Sequence, residues 1–252
     1  MGNAPRTTQV TEIVTIRNHR PQQMQTTSIS MVPEIDLEVH IQKNSFKITT
    51  EKGSSYLTFN FDSSHICLIT VYYFGVEVLS KKEDHTMYFA VDTEKYPAPN
   101  SYKFPSGLNQ KFPEKVSEIN LNRYASDIAS SESHNQYPII ITIKPENTIP
   151  FPYESSFLRI DKEKDIWKPV LLKQKIHFDG SSYYLSEIYG LSSLEDDKNV
   201  CIVCLTGKSK VTMMPCKHLC LCEECAQVLS ESAVKKCPMC RACVNELLFI
   251  AK

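Results

Sequence analysis

The stretch PCKHLCLCEECA, residues 215–226, sets four cysteines and one histidine into twelve positions, inside a window from Cys201 to Cys243 that holds nine of the chain's ten cysteines. Sulfur at this density specifies either a disulfide framework or a metal centre. The opening MGNAPRTTQVTEIVTIRNHR is polar throughout and lacks the charged, then apolar, cleavable leader of a secreted protein. The expected compartment is therefore reducing, and metal binding takes precedence over disulfides.

Four ligand pairs are visible: Cys201 with Cys204, Cys216 with His218, Cys222 with Cys225, and Cys237 with Cys240. Eight soft or borderline ligands suffice for two tetrahedral zinc sites, and a two-residue gap lets both thiolates of a pair reach one ion at about 2.3 Å. Cys220 is one residue away from both His218 and Cys222, so it reads as a small packed thiol, as does Cys243 beyond the last pair. Four protein ligands per ion leave no place for water, so these zincs are structural and activate no nucleophile. So short a segment cannot fold on its apolar content. Each structural zinc supplies about 10–16 kcal/mol, and without it this part should unfold.

The rest of the chain has a different texture. Residues 1–32 are rich in Thr, Gln, Ser and Asn without an apolar period and read as a flexible arm. From there Ile35, Leu37, Val39 and Ile41 alternate with polar residues, as do Leu57, Phe59 and Phe61, which is the period of a strand with one wet face. ICLITVYYF (66–74) is apolar on both faces, as a central strand requires, and YPIIITIKP (137–145) and WKPVLLKQKIHF (167–178) add two more candidates.

Gly53-Ser54-Ser55, Asp62-Ser63-Ser64, Pro97 to Ser101 and Asp179-Gly180-Ser181 supply the turns. The expected fold is an all-β, antiparallel, sandwich-like domain over 33–190, with polar long loops from about 92 to 134. A short helix over Tyr184, Leu185, Ile188 and Tyr189, ended by Gly190, is expected to close it. A polar linker, 191–199, then leads into the cysteine-rich domain, 200–252.

The order of pairs, with 11 residues in each of the two longer gaps, resembles a RING finger of the C3HC4 type. NVCIVCL, MMPCKHLCLCEECA and KKCPMCR are similar to the RING of the mahogunin family of ubiquitin ligases. FDSSHICLITVYYF and LKQKIHFDGSSYYLSEIYGL are similar to that family's RING-associated domain. The resemblance covers 33–252 and is loosest between 80 and 135. It implies a small α+β RING in which the pairs interleave: Cys201, Cys204, Cys222 and Cys225 hold one zinc, and Cys216, His218, Cys237 and Cys240 hold the other.

The resemblance also implies a function. A RING ligase recruits a ubiquitin-conjugating enzyme charged with ubiquitin and promotes direct transfer to a substrate lysine, with no covalent intermediate of its own. Ile202, Val203 and Pro238 match the positions that touch the conjugating enzyme, and Arg241 matches the basic side chain that bridges it to ubiquitin. From the residues alone, the readings that take precedence are Val203 covering a zinc loop, Pro238 stiffening a turn and Arg241 as a solvated charge; the resemblance turns the balance toward contact. Leu247 to Ile250 reads either as a strand on the RING or as the interface of a RING homodimer. The β domain shows no catalytic order of residues and is expected to bind a substrate or partner of unknown identity.

The competing class is a non-catalytic RING scaffold for protein–protein interaction. Nucleic acid is not an expected partner: net charge is −1, and Cys201 to Lys252 carries seven basic and four acidic side chains without interleaved aromatics. The longest apolar run, Ile66 to Val78, is broken by Gly75 and Glu77 and is shorter than the ~20 residues of a spanning helix. The expected location is the cytoplasm. Contact with membranes would be peripheral and depend on myristoylation of Gly2, which family members suggest and which Arg6, standing where the pattern asks for Ser or Thr, opposes.

Overall fold

Alternation of apolar and polar residues dominates the observed architecture as it does the sequence. The computed structural model describes residues 29–32, 35, 37–79, 87–131, 136–146, 152–178, 180–186, 188–190 and 199–250. Among these, 37–182 form one unit, and 29–35 join 183–250 in another. Ile29–Val32, expected to belong to the flexible arm, is instead a strand, β1, and the rest of that arm, 1–28, lies outside the described residues. Of the expected linker, 191–199, all but Asn199 lies outside the described residues, and so does Gly2.

The first unit contains β2 (Val39–Ile41), β3 (Lys47–Glu51), β4 (Ser54–Thr58), β5 (Asn60–Ser63), β6 (Cys67–Leu79) and β7 (Met87–Ala90). It continues with β8 (Asn100–Phe104), β9 (Gly107–Lys111), β10 (Glu118–Ile119), β11 (Tyr137–Pro145), β12 (Tyr153–Glu163) and β13 (Ile166–Phe178), and its last two residues open β14 (Ser181–Leu185). The large sheet runs β14-β13-β12-β11-β6-β7 with β8 also on β6, and two small sheets run β2-β5-β9 and β10-β4-β3. Among the described residues the paired strands of these sheets run antiparallel, so the all-β, sandwich-like expectation describes this unit.

The core is built from one face of each long strand. Ile69, Val71 and Tyr73 of β6, Ile139, Ile141 and Ile143 of β11, and Leu158 and Ile160 of β12 cluster with Leu57, Phe59, Phe61 and Phe112. Phe59 and Phe112 stack with ring centroids 4.6 Å apart. A buried polar clamp holds β2 in place. His40 Nδ1 lies 2.8 Å from Glu154 Oε2, and Gln174 Nε2 donates to Glu154 Oε1 at 2.7 Å and to the Ile41 carbonyl at 2.9 Å.

Two expectations need correction. The stretch expected as long loops, 92–134, carries in its described part, 92–131, β8 to β10, 3₁₀ turns at Glu114–Val116 and Leu121–Tyr124, and a helix, α1 (Ala125–Ser130). NSYKF turns only two half-buried residues, Tyr102 and Phe104, to the core, and GLNQK has no fully buried residue, so neither stands out as a run of apolar alternation. The short helix expected over 184–189 is also absent. A turn with Gly180 at φ +69° sends Ser181–Leu185 back as β14, whose hairpin hydrogen bonds outweigh a single amphipathic turn.

The second unit adds β15 (Val211–Met214), β16 (His218–Leu221), α2 (Glu223–Glu231) and β17 (Glu246–Ile250). Its sheet has the order β1-β17-β15-β16. Val211, Met213, Leu221, Ala226, Val244 and Leu247 form its core together with Cys201, Cys220, Cys222 and Cys237. Leu247 to Ile250 is therefore a strand on the zinc module itself. No helix of the described residues is long and apolar enough to cross a membrane.

Candidate metal centre

Two loops are folded alike. In the first, the Leu205 amide donates to the Cys201 carbonyl at 2.8 Å and the Cys201 amide to the Gly207 carbonyl at 2.7 Å. In the second, the Arg241 amide donates to the Cys237 carbonyl at 2.8 Å and the Cys237 amide to the Ala242 carbonyl at 2.9 Å. In both loops the residue after the C-x-x-C is left-handed, Leu205 at φ 59° and Arg241 at φ 61°. Such a turn reverses the chain over the pair and aims both sulfurs to one side. Lys217, φ 61°, plays the same part between Cys216 and His218.

The sheet and helix bring the remaining ligands to these loops. β15 runs into Cys216, and β16 starts at His218 and delivers Cys222, which stands at the N-terminus of α2 with Cys225 in its first turn. The result is two groups: Cys201, Cys204, Cys222 and Cys225, and Cys216, His218, Cys237 and Cys240. The ligand atoms of each group all lie within 4.8 Å of one another. These are the interleaved sets that the resemblance implied.

The spacing fits zinc. A tetrahedral ion with Zn–S of about 2.3 Å separates its sulfurs by about 3.8 Å, and Cys204 Sγ and Cys222 Sγ stand 3.7 Å apart. His218 Nδ1 and Cys237 Sγ are likewise 3.7 Å apart. A disulfide needs about 2.05 Å, and all ten cysteines are free. Gly207 completes the first site, because a Cβ there would lie 2.7 Å from Cys222 Cβ and 3.1 Å from its Sγ. The Thr206 hydroxyl and then the Gly207 amide bring the Cys204 thiol down to about 6, toward the thiolate that a metal requires.

The two cysteines outside the pairs part company. Cys220 is buried in the core and burial pushes its thiol up to about 12, as expected of a packed thiol. Cys243 is exposed, which corrects its reading as packed: it pairs with Lys236 through a backbone bridge at the surface.

The other site residues lie on the surface of the two zinc loops. Ile202 and Val203 are exposed, and so are Pro238 and Arg241. Sequence reasoning missed two neighbours. Leu205, at 70% the most exposed large apolar residue of the first loop, and Met239, at 57%, add to the same apolar set. Their signal was their place, one directly after Cys204 and the other between the last two ligands.

Comparison with known proteins agrees with this geometry. A family model described as the RNF157-like N-terminal domain matches residues 39–181, and one described as a zinc finger of C3HC4 type (RING finger) matches 197–247. This chain belongs to the RNF157-like family of RING proteins. Its cofactors are two structural zinc ions, held by the two clusters.

Relatives include the probable E3 ubiquitin-protein ligase LUL3 of Arabidopsis thaliana, 32% identical over 143 residues, which is 49% of this chain and 38% of that one. The E3 ubiquitin ligase Rnf157 of Xenopus laevis is 40% identical over 92 residues, 31% of this chain and 14% of that one. The E3 ubiquitin-protein ligase MGRN1 of Homo sapiens is 40% identical over 91 residues, 31% of this chain and 16% of that one. The matches thus span well under half of each relative's length. No solved structure matches this chain.

Proposed function

We propose that this chain is a RING-type E3 ubiquitin-protein ligase. The observation that carries the reading is the exposed apolar set Ile202, Val203, Leu205, Pro238 and Met239, spread over the two zinc loops, with Arg241 beside the last ligand. Exposed apolar residues grouped on rigid loops mark an interaction site rather than a core. The zincs supply no reactive water. They fix the loops, so that the surface meets a charged ubiquitin-conjugating enzyme without reordering itself.

In this reading Ile202, Val203 and Pro238 contact the conjugating enzyme. Arg241 donates its planar fork of N–H groups to carbonyls of that enzyme and of ubiquitin. Holding the thioester and the attacking lysine in one geometry lowers the barrier by reducing conformational freedom, with no nucleophile from the ligase. The β domain binds the substrate. The cytoplasmic location and Gly2 acylation belong to the same proposal, and an intact mass that shows unmodified Gly2 removes the membrane contact. A RING homodimer would use a surface other than the β17 edge, which β1 covers.

The test is self-ubiquitination by zinc-loaded protein with activating enzyme, a panel of conjugating enzymes and ATP. Val203→Ala and Arg241→Ala are each expected to slow ladder formation by at least about tenfold, ~1.4 kcal/mol in the barrier, with two zincs retained. Silence of the wild type across the panel, with both zincs bound, would leave a non-catalytic RING scaffold.

A further inference from the structure

The C3HC4 match covers 197–247, yet one strand of the sheet at its centre comes from the far end of the chain. β1 pairs with β17 in parallel register, Ile29 opposite Leu247 and Val32 opposite Ile250. We propose that the outer edge of β17 is a strand-docking slot whose occupant is the chain's own segment 29–32, and that this segment is a working part of the zinc module.

β17 is placed to transmit the effect. On its inner side it pairs with β15, Met214 opposite Glu246, and β15 leads directly into Cys216 and His218. Just before it, the Asn245 amide donates to the Met214 carbonyl and the Val244 amide to the Lys235 carbonyl, both at 2.9 Å, closing the loop that carries Cys237 and Cys240. All four ligands of the second site therefore hang from the β15–β17 pair. A strand that holds the free edge of β17 restrains both halves of that site.

The edge also needs a cover. Glu246–Ile250 reads ELLFI, and a bare edge strand of such composition pairs with whatever extended segment it meets. The far side of the sheet is treated in the same way. There the Tyr189 amide donates to the Lys217 carbonyl and the Leu219 amide to the Tyr189 carbonyl, each at 2.9 Å. Both edges are thus covered by segments that lie outside 197–247. Because 29–32 belongs to the same chain, docking is intramolecular and needs no high concentration.

A proline scan of the full chain tests this. In a parallel pair, one residue turns its N–H and C=O to the neighbouring strand and the next turns them away, so proline is tolerated only at alternate positions of an edge strand. Single proline substitutions at Ile29, Ser30, Met31 and Val32 are expected to split into two pairs, 29 with 31 and 30 with 32. One pair speeds amide exchange at 246–250 and zinc release to a chelator, by roughly fivefold for each hydrogen bond lost. The other pair leaves both at wild-type rates and serves as the control for folding. Four wild-type results, four equal losses, or faster exchange without faster zinc release would each overturn the proposal. Neither readout involves ubiquitin, so a wild type silent in the ligase assay would leave this test intact.

Discussion

Leu205 and Arg241 place long side chains at φ near +60°, a conformation that costs a non-glycine residue about 1–2 kcal/mol and glycine almost nothing. For Leu205 the strain accompanies a side chain that is mostly in solvent, 70% exposed. Leu205→Gly relieves the strain and adds freedom to the unfolded chain, two effects that nearly offset each other. Its zinc-release midpoint is expected to stay within about 1 kcal/mol of wild type, while conjugating-enzyme binding measured by titration falls several-fold. A large loss of zinc affinity would show that the leucine supports the loop instead. Cysteine exposure gives a second residue-scale prediction: iodoacetamide on native, zinc-loaded protein labels Cys243 and spares buried Cys220 and Cys67 until denaturant is added, as read by peptide mass spectrometry. The ligand pairs were legible because a zinc loop fixes the spacing of its sulfurs. The exposure of Cys243 was not, because it depends on a backbone bridge to Lys236 that leaves no mark in the pattern.

At the scale of elements, strands with one buried face announced themselves and strands without one did not. β6 and β11 are apolar over most of their length and were readable, whereas β8 and β9 are mostly wet and β14 showed a helical spacing that its hairpin overrode. His177 ties that hairpin together. Its Nε2 lies 2.6 Å from Ser155 Oγ on β12 and its Nδ1 lies 2.8 Å from Ser182 Oγ on β14. Burial, and then the charge of Lys175, bring His177 down to about 3. The unfolded chain therefore binds a proton near pH 6.5 that the folded chain refuses. Stability is full above that pH and is lost as pH falls toward 3, at up to about 1.4 kcal/mol per pH unit. His40 acts in the opposite window. Burial disfavours its charge, but the Glu154 carboxylate outweighs burial and raises it, so its contribution is present below pH 6.5 and fades as pH rises through its folded value. His177→Gln is expected to flatten the acid limb of a urea-midpoint profile and His40→Gln the decline that begins above pH 6.5. Unchanged slopes would assign those limbs to other groups.

Across the whole molecule, two cores of different chemistry set two different dependences on metal. The core of residues 37–182 is aliphatic and aromatic, closed by stacked rings such as Phe74 on Tyr96 at 4.3 Å, and contains a single cysteine, Cys67. The core of the second unit is short of apolar mass and includes four cysteines, three of them zinc ligands. Each zinc accounts for about 10–16 kcal/mol of its folding, far more than a core of that size gains from apolar burial. Excess chelator at neutral pH is therefore expected to release two zincs per chain and to abolish amide protection at 211–221 and 246–250. Protection at 29–32 should vanish at the same chelator concentration, because β1 has no pairing except with β17 among the described residues. Protection of 67–78 and 137–145 should persist, since the β6–β11 ladder owes nothing to the metal. Hydrogen exchange followed by mass spectrometry reads all five segments in one experiment. Loss of protection along β6 and β11 in step with zinc release would mean that the chain folds as one cooperative body, with its β domain dependent on a metal bound elsewhere.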